Sequence, residues 1–346
     1  MSLTKQKRDE IKLFILWNVS NHPNDIVHFA QEKYKLSRTT ILKYVSELSR
    51  DKKIQIEGKS RDRKYILEPS VSFRQTYQIQ EKLAEDKVWR DDIAPLFTDI
   101  KGNIFNICHY GFTEIFNNAI DHSEGKNITV TVGIWIHRIL LCIADDGVGI
   151  FNKIQKKYDL DDSYHAILEL SKGKLTTDPE SHTGEGIFFT SRMFDIFVIS
   201  SGKYTFTTKG IDVLFEEDKD ISGTEVYMDI SRTSDRTTES VFSKFASESD
   251  DYGFNKTIVP VTLARYGNEN LVSRSQAKRL LTRLEKFKAV ILDFQNIESI
   301  GRAFTDEIFR VFVKNHPDTK LVVINENESI KQLIKESQGG NKEISL

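Results

Sequence analysis

Apolar positions recur every three or four residues through three early stretches, KRDEIKLFILWNVS, HPNDIVHFAQEKY and RTTILKYVSELSRD. That spacing puts them on one face of a helix each, and in the third Ile41, Val45 and Leu48 turn inward. Pro23 with Asn24 or Asp25 opens the second helix, and Ser37 caps the third. The pattern then switches to alternation in KIQIEGKSRDRKYIL, two short strands around a turn at Gly58. Residues 71–98 read as a connecting helix anchored by Tyr77, Leu83, Val88 and Trp89 and ended near Pro95. A further helix carries Phe112, Ile115, Phe116, Ala119 and Ile120 on one face. Its other face holds Glu114, Asn118 and His122 at four-residue steps, joined by Asp121. Two alternating strands follow in NITVTVGIWIHRILLCIADDGVGI. A Ser-, Thr- and Asp-rich stretch, 231–250, marks a boundary, and from 254 the order is strand, helix, strand, helix, strand, helix.

Composition narrows the class. The 346 residues, 39% hydrophobic and 29% charged, fit a globular protein of two or three domains. No apolar run reaches a membrane span, and no leader peptide is expected from the charged TKQKRDE near the start, so the expected location is cytoplasmic. Cys108 and Cys142 sit in apolar surroundings and read as reduced thiols. The net charge of −2 is uneven: residues 1–70 carry +6 and the remainder −8.

The three helices and hairpin resemble a winged helix-turn-helix. Its third helix would present Arg38, Thr39 and Lys43 outward, and its wing Lys59, Arg61, Arg63 and Lys64. Against a plain interaction module with solvated charges, the basic side chains on both elements favour double-stranded DNA, with Arg38, Thr39, Lys43, Arg61 and Lys64 as contacts.

The middle of the chain holds four small motifs. A carboxylate at a strand end, Asp145, followed by Gly147 and Gly149, can accept from an exocyclic amine while the backbone passes beneath a flat ring. Gly184 and Gly186 open a helix, where backbone N–H groups and the positive dipole end gather phosphates. Gly223-Thr224 makes a turn into a strand. Singly each is ordinary turn chemistry. In this order, with the polar helix face, they resemble the GHKL ATPase superfamily, which includes gyrase and the histidine kinases, over residues 99–232. The resemblance implies ATP and Mg²⁺ as cofactors, with Glu114 serving the attacking group and Asn118 holding the metal. It also implies that Asp145, Gly147, Gly149, Gly184, Gly186 and Thr224 bind the nucleotide. Residues 151–183 would be the lid, with Lys172, Lys174 and His182 as candidate phosphate contacts. Glu185, between the two glycines, fits a phosphate cradle only if its side chain turns away. No Walker A or protein-kinase motif set occurs, and no separate helix offers a phospho-accepting His.

The stretch VILDFQNIESIGRAFTDEIF resembles STAS-like domains. In such domains a partner kinase phosphorylates a Ser at the start of the helix after this strand. Here Ile300-Gly301-Arg302-Ala303-Phe304 contains none, and Ser299 and Thr305 only flank the position. The expected architecture is therefore a multidomain α+β chain. It has a winged helix at 1–70, a connector at 71–98, a GHKL α/β sandwich at 99–232 with a mixed sheet covered by helices, a linker at 233–253 and a STAS-like α/β domain at 254–340. The expected function is an ATP-binding, slowly hydrolysing regulator whose nucleotide state controls DNA or partner binding. The alternative is a serine/threonine kinase of the anti-sigma type. A regulatory protein would engage the STAS-like region, and a homodimer is left open.

Overall fold

The computed structural model describes residues 4–175, 184–208, 212–246, 254–265 and 269–339, and the side chains of these apart from 61 and 212–219. It is a mixed α/β protein whose chain divides into two compact units. One comprises 1–75, 131–141 and 230–234, and the other 76–130, 142–229 and 235–346.

In the first unit, helices α1 (Lys5–Asn18), α2 (Ile26–Tyr34) and α3 (Arg38–Arg50) precede an antiparallel pair, β1 (Ile54–Glu57) and β2 (Lys64–Leu67). Ser37 caps α3 by accepting from the Thr40 amide at 3.2 Å. Ile11, Ile15, Ile26, Ala30, Ile41, Val45 and Ile54 are buried in one core, joined by Tyr65 from β2. Burying each large aliphatic side chain contributes roughly 1.5–3 kcal/mol. Gly58 turns the hairpin at φ +72°, in the left-handed region that favours glycine.

A five-stranded sheet has the order β3-β4-β5-β7-β6, with β3 (Val71–Gln78), β4 (Asn127–Ile134), β5 (Arg138–Asp145), β6 (Ile196–Thr208) and β7 (Asp212–Ser231). Residues 71–78 are thus a strand where a connecting helix was expected. Val71, Phe73 and Tyr77 alternate with polar residues, the period of a half-buried strand, and only Glu85–Val88 (α4) and the turns after it are helical. Tyr77 is fixed by its hydroxyl donating to Asp92 at 2.8 Å. The long helix α5 (Gly102–His122) buries Ile104, Ile107, Phe112, Ile115, Phe116 and Ala119, with Phe112 and Phe116 stacked at 5.1 Å. A Cβ at Gly111 would lie 2.6 Å from the Phe194 ring, so α5 approaches that segment as closely as a glycine permits.

Three shorter helices complete this layer: α6 (Ile150–Tyr158), α7 (Ser163–Lys172) and α8 (Gly186–Met193). After α9 (Thr238–Phe245) come β8 (Lys256–Pro260), α10 (Arg274–Leu281) and β9 (Ala289–Asp293). Next, α11 (Arg302–Asp306) runs through a widened turn, Glu307–Phe312, into α12 (Val313–Asn315), and β10 (Lys320–Ile324) and α13 (Glu328–Ser337) end the described chain. Strands β10, β9 and β8 form a parallel three-stranded sheet with β9 in the middle. Val290 and Leu292 on β9 are fully buried, as a central parallel strand requires. Among the described residues, no helix is long and apolar enough to cross a membrane.

Candidate functional site

The polar face of α5 borders a cavity of about 290 Å³ in the second unit, lined by Glu114, Asn118 and His122. Asp145, Gly149, Gly184, Gly186 and Thr224 line the same cavity, so seven of the sequence-selected residues converge there: these five with Glu114 and Asn118. Gly147 does not line it. Its amide instead donates to Asp145 Oδ1 at 2.9 Å, and the Thr224 amide donates to the same oxygen at 3.3 Å. Two backbone turns thus aim the carboxylate. Burial pushes the Asp145 carboxyl above its ordinary range, and the Gly147 and Thr224 amides act in the opposite sense.

The turns leave no room for side chains. A Cβ at Gly147 would lie 2.0 Å from the Ser123 carbonyl oxygen, and one at Gly223 would lie 2.0 Å from that of Asp145. Gly149 and Gly223 both take positive φ, at +84° and +74°. Thr224 Oγ1 accepts from the Ile150 amide at 3.0 Å, and Ser201 Oγ donates to the Gly223 carbonyl at 2.8 Å. A hydroxyl from β6 therefore braces the turn from behind. Asp146, by contrast, is consumed structurally: its carboxylate accepts from the amides of Lys126 and Asn127 at 2.7 and 2.9 Å. Of the adjacent carboxylates, it is Asp145 that serves the cavity.

At the other end, a Cβ on Gly186 would collide with Glu114 Oε2 at 1.8 Å. The Glu114 carboxylate therefore lies on the first turn of α8, where the helix dipole favours negative charge. Glu185 does not line the cavity; burial raises its carboxyl, and Lys174 opposes this. Tyr110 lies one turn before Glu114. Burial, then the negative charges of Glu114 and Glu185, holds its phenol well above the ordinary range. Glu114 also borders a second hollow of about 420 Å³, with Glu85, Asp86, His109, Tyr110 and Thr238. Burial lowers His109, whose ring stacks on Trp89 at 4.7 Å, so it behaves as a packed aromatic.

Two expected lid contacts lie elsewhere. Lys172 is 1% exposed and donates to Glu169 and to the carbonyls of Arg279 and Thr282, and Lys174 Nζ donates to the Lys286 carbonyl at 3.2 Å. The buried Lys172 ammonium is satisfied by a carboxylate and two backbone oxygens, while Lys174 is half-buried. His182 lies outside the described residues. Among the lining residues not singled out from the sequence, the charged one is Lys153, whose ammonium donates to the His122 carbonyl at 2.7 Å and to Glu124 at 2.9 Å. The signal was available, since Lys153 stands one helical turn after Gly149. Lys153 ties α6 to the end of α5.

In the first unit, Arg38, Thr39, Lys43 and Lys64 are all exposed; the side chain of Arg61 lies outside those described. Arg63 is half-buried, and its Nε is buried with no partner among the described residues.

Residues 276–331 match the family described as a STAS-like domain of unknown function (DUF4325). The C-terminal stretch is therefore STAS-like, within the parallel sheet of β8, β9 and β10 and its helices. STAS-like domains commonly mediate protein interactions. The comparisons with curated proteins and with solved structures gave no match. The helix that follows β9 begins at Arg302 with Gly301 before it, and Thr305, the nearest downstream hydroxyl, is 1% exposed and donates to the Gly301 carbonyl at 3.0 Å. That hydroxyl is held within its own helix.

Proposed function

We propose that the cavity binds ATP with Mg²⁺ and that the protein is a nucleotide-controlled regulator of the GHKL type. The single observation that carries this reading is the convergence of Asp145, Asn118 and Glu114 with the three glycine turns on one cavity. The bonds to Asp145 from Gly147 and Thr224 end on one oxygen. A carboxylate offers about four lone-pair directions, so it retains capacity for an adenine amine. Gly184 and Gly186 line the cavity at the start of α8, where a helix N-terminus can offer backbone N–H groups to phosphates once the Glu114 carboxylate gives way. Mg²⁺ would neutralise phosphate charge, and the Asn118 amide oxygen is a suitable hard ligand beside it. A site completed by phosphate oxygens and water does not need a cluster of protein carboxylates, and none of three or more metal-binding side chains occurs among the described residues. Glu114 would orient or deprotonate the attacking group.

The fold reading follows the same lines. The five-stranded sheet with α5, α6 and α8 is the proposed GHKL sandwich, and the three helices with β1 and β2 are the proposed winged helix. Arg38, Thr39, Lys43 and Lys64 would contact duplex DNA, and nucleotide state would change that affinity. The second reading, transfer to a protein hydroxyl, is favoured by the hollow that reaches Glu114 beside Glu85, Asp86 and Thr238, which leaves room for an acceptor larger than water. Incubating the full chain with γ-labelled ATP separates them. Label released as phosphate supports the hydrolytic regulator, and label on an added partner supports the kinase. A chain that neither binds nor turns over ATP contradicts both.

A further inference from the structure

Helix α7 is buried on every side: from His165 to Lys172 each residue is less than a tenth exposed. An amphipathic surface helix would show water to one face. Here Leu170, and Leu175 just past the helix end, line the cavity, while α7 also packs on β8 and on the 261–264 turn of the C-terminal region. Two charged residues among these eight, Glu169 and Lys172, are met by that region. Glu169 and Lys172 are each 1% exposed and pair at 2.5 Å. Lys172 Nζ also donates to the carbonyls of Arg279 at 3.2 Å and Thr282 at 2.9 Å, which end α10. Arg283 stands 3.5 Å from Glu169 and donates to the Lys174 carbonyl. Thr257 Oγ1, on β8, donates to the Lys172 carbonyl at 2.7 Å.

Arg283 also lies over the ring of Tyr158, at the end of α6, at 5.0 Å. Helix α6 contributes Ile150, Lys153 and Ile154 to the cavity wall. One arginine thus touches both helices that cover the cavity. Its own backbone sits at φ +64°, a left-handed conformation that a non-glycine residue holds only when its surroundings impose it.

We infer that the STAS-like region is a built-in regulator of the nucleotide cavity, holding α7 and the end of α6 against it through the Glu169–Lys172–Arg283 network. The inference rests on the nucleotide reading for its functional consequence, and on the ionic network for its mechanism. A partner that shifts residues 279–283 withdraws the two carbonyls and the guanidinium that fix α7, and so loosens the wall formed by Leu170 and Leu175. Such coupling is reciprocal: a nucleotide that orders the wall also protects residues 276–286.

The test uses the full chain, as wild type, Arg283→Gln and the milder, near-isosteric Thr257→Val, which removes one hydrogen bond. Hydrogen exchange is followed over 163–172 and 276–286 without nucleotide and with Mg²⁺-ATP, and ATP affinity is measured by calorimetry. The expected result is faster exchange at 163–172 in both variants, unchanged exchange within α5, and ATP affinity lowered by roughly five- to a hundredfold in Arg283→Gln. In the wild type, Mg²⁺-ATP should slow exchange at 276–286. Unchanged exchange at 163–172 in Thr257→Val and in a folded Arg283→Gln overturns the clamp. Faster exchange with unaltered ATP affinity overturns the coupling. Should Arg283→Gln not fold, Thr257→Val decides both points, since its faster exchange is expected to come with a weakened ATP affinity as well. Absence of ATP binding by the wild type sinks the nucleotide reading and with it the functional consequence, while the exchange result still decides the clamp.

Discussion

Two polar clusters in the same unit are built on opposite principles. Around the cavity, Asp145, Asn118 and Glu114 are positioned by backbone turns and one helix face, and they border open space. Around α7, Glu169, Lys172 and Arg283 meet one another and backbone carbonyls. The first cluster faces the cavity. The second uses its hydrogen-bonding capacity internally and fixes the position of a helix. Burial raises the Asp145 carboxyl, whereas at Glu169 burial is outweighed by Lys172, His165 and Arg283, which hold the carboxyl below its ordinary range. The contrast is that Asp145 is held by backbone turns beside a cavity, whereas Glu169 is held by other charges.

The largest expected effect separates chemistry from binding. Glu114→Ala should lower ATP turnover by about a hundredfold or more, the usual contribution of a positioned base, while Mg²⁺-ATP still binds. Failure to bind in a folded variant would make Glu114 a ligand contact and blur the contrast. Next in size is the joint. Lys172→Met leaves the Glu169 charge buried without its closest partner and should cost about 3–5 kcal/mol of stability in chemical denaturation. Lys172→Met combined with Glu169→Leu should recover most of that loss. A double variant as unstable as the single one would mean that packing, not charge, dominates there.

Acid distinguishes the two carboxylates further. Ionised, Asp145 offers acceptors on both oxygens; protonation removes the charge and turns one oxygen into a donor, which weakens a bond from an exocyclic amine, and its folded value is raised. ATP affinity should therefore fall as pH drops into that raised range, above the ordinary carboxylate value, and Asp145→Asn should abolish this dependence. The folded value of Glu169 is depressed, so its stabilisation is complete above the ordinary carboxylate range and is lost as pH falls through the depressed value. Glu169→Gln should flatten the acid limb of the melting profile. The smallest effect lies in the first unit. Removing Lys43 and Lys64 should weaken duplex binding and reduce the slope of log affinity against log salt by roughly 0.9 for each phosphate that is no longer neutralised. An anisotropy titration at several salt concentrations would read this, and a full chain that binds no duplex at low salt makes the module a protein-interaction unit.

Much of the cavity was legible because its signals are local. Glu114, Asn118 and His122 are four apart on a helix, and the glycines stand beside the carboxylate and helix start that they serve. Three helices and a hairpin at the start were legible for the same reason, since period and caps lie within each stretch. Residues 71–78 read as helix because Val71, Phe73 and Tyr77 run directly into the charged, helix-favouring stretch 81–88, and the hydrogen bonds of a sheet strand go to partners the stretch itself does not contain. The joint was invisible. Glu169 and Lys172 look like any surface pair at helical spacing, and Arg283 lies 114 residues from the glutamate it meets. Along the chain Lys172 has the placing of a phosphate contact, but in the fold the carbonyls of Arg279 and Thr282 claim its ammonium.

The central claim is that Asp145, aimed by Gly147 and Thr224, receives the adenine of a bound nucleotide. Calorimetric titration of the full chain with Mg²⁺-ATP, wild type beside Asp145→Asn, addresses it directly. A hydrogen bond to a charged group contributes about 1.5–3 kcal/mol, so the account predicts saturable binding by the wild type and affinity roughly ten- to a hundredfold weaker in the variant. Equal affinity in the two proteins, or no binding by a folded wild type, would contradict it.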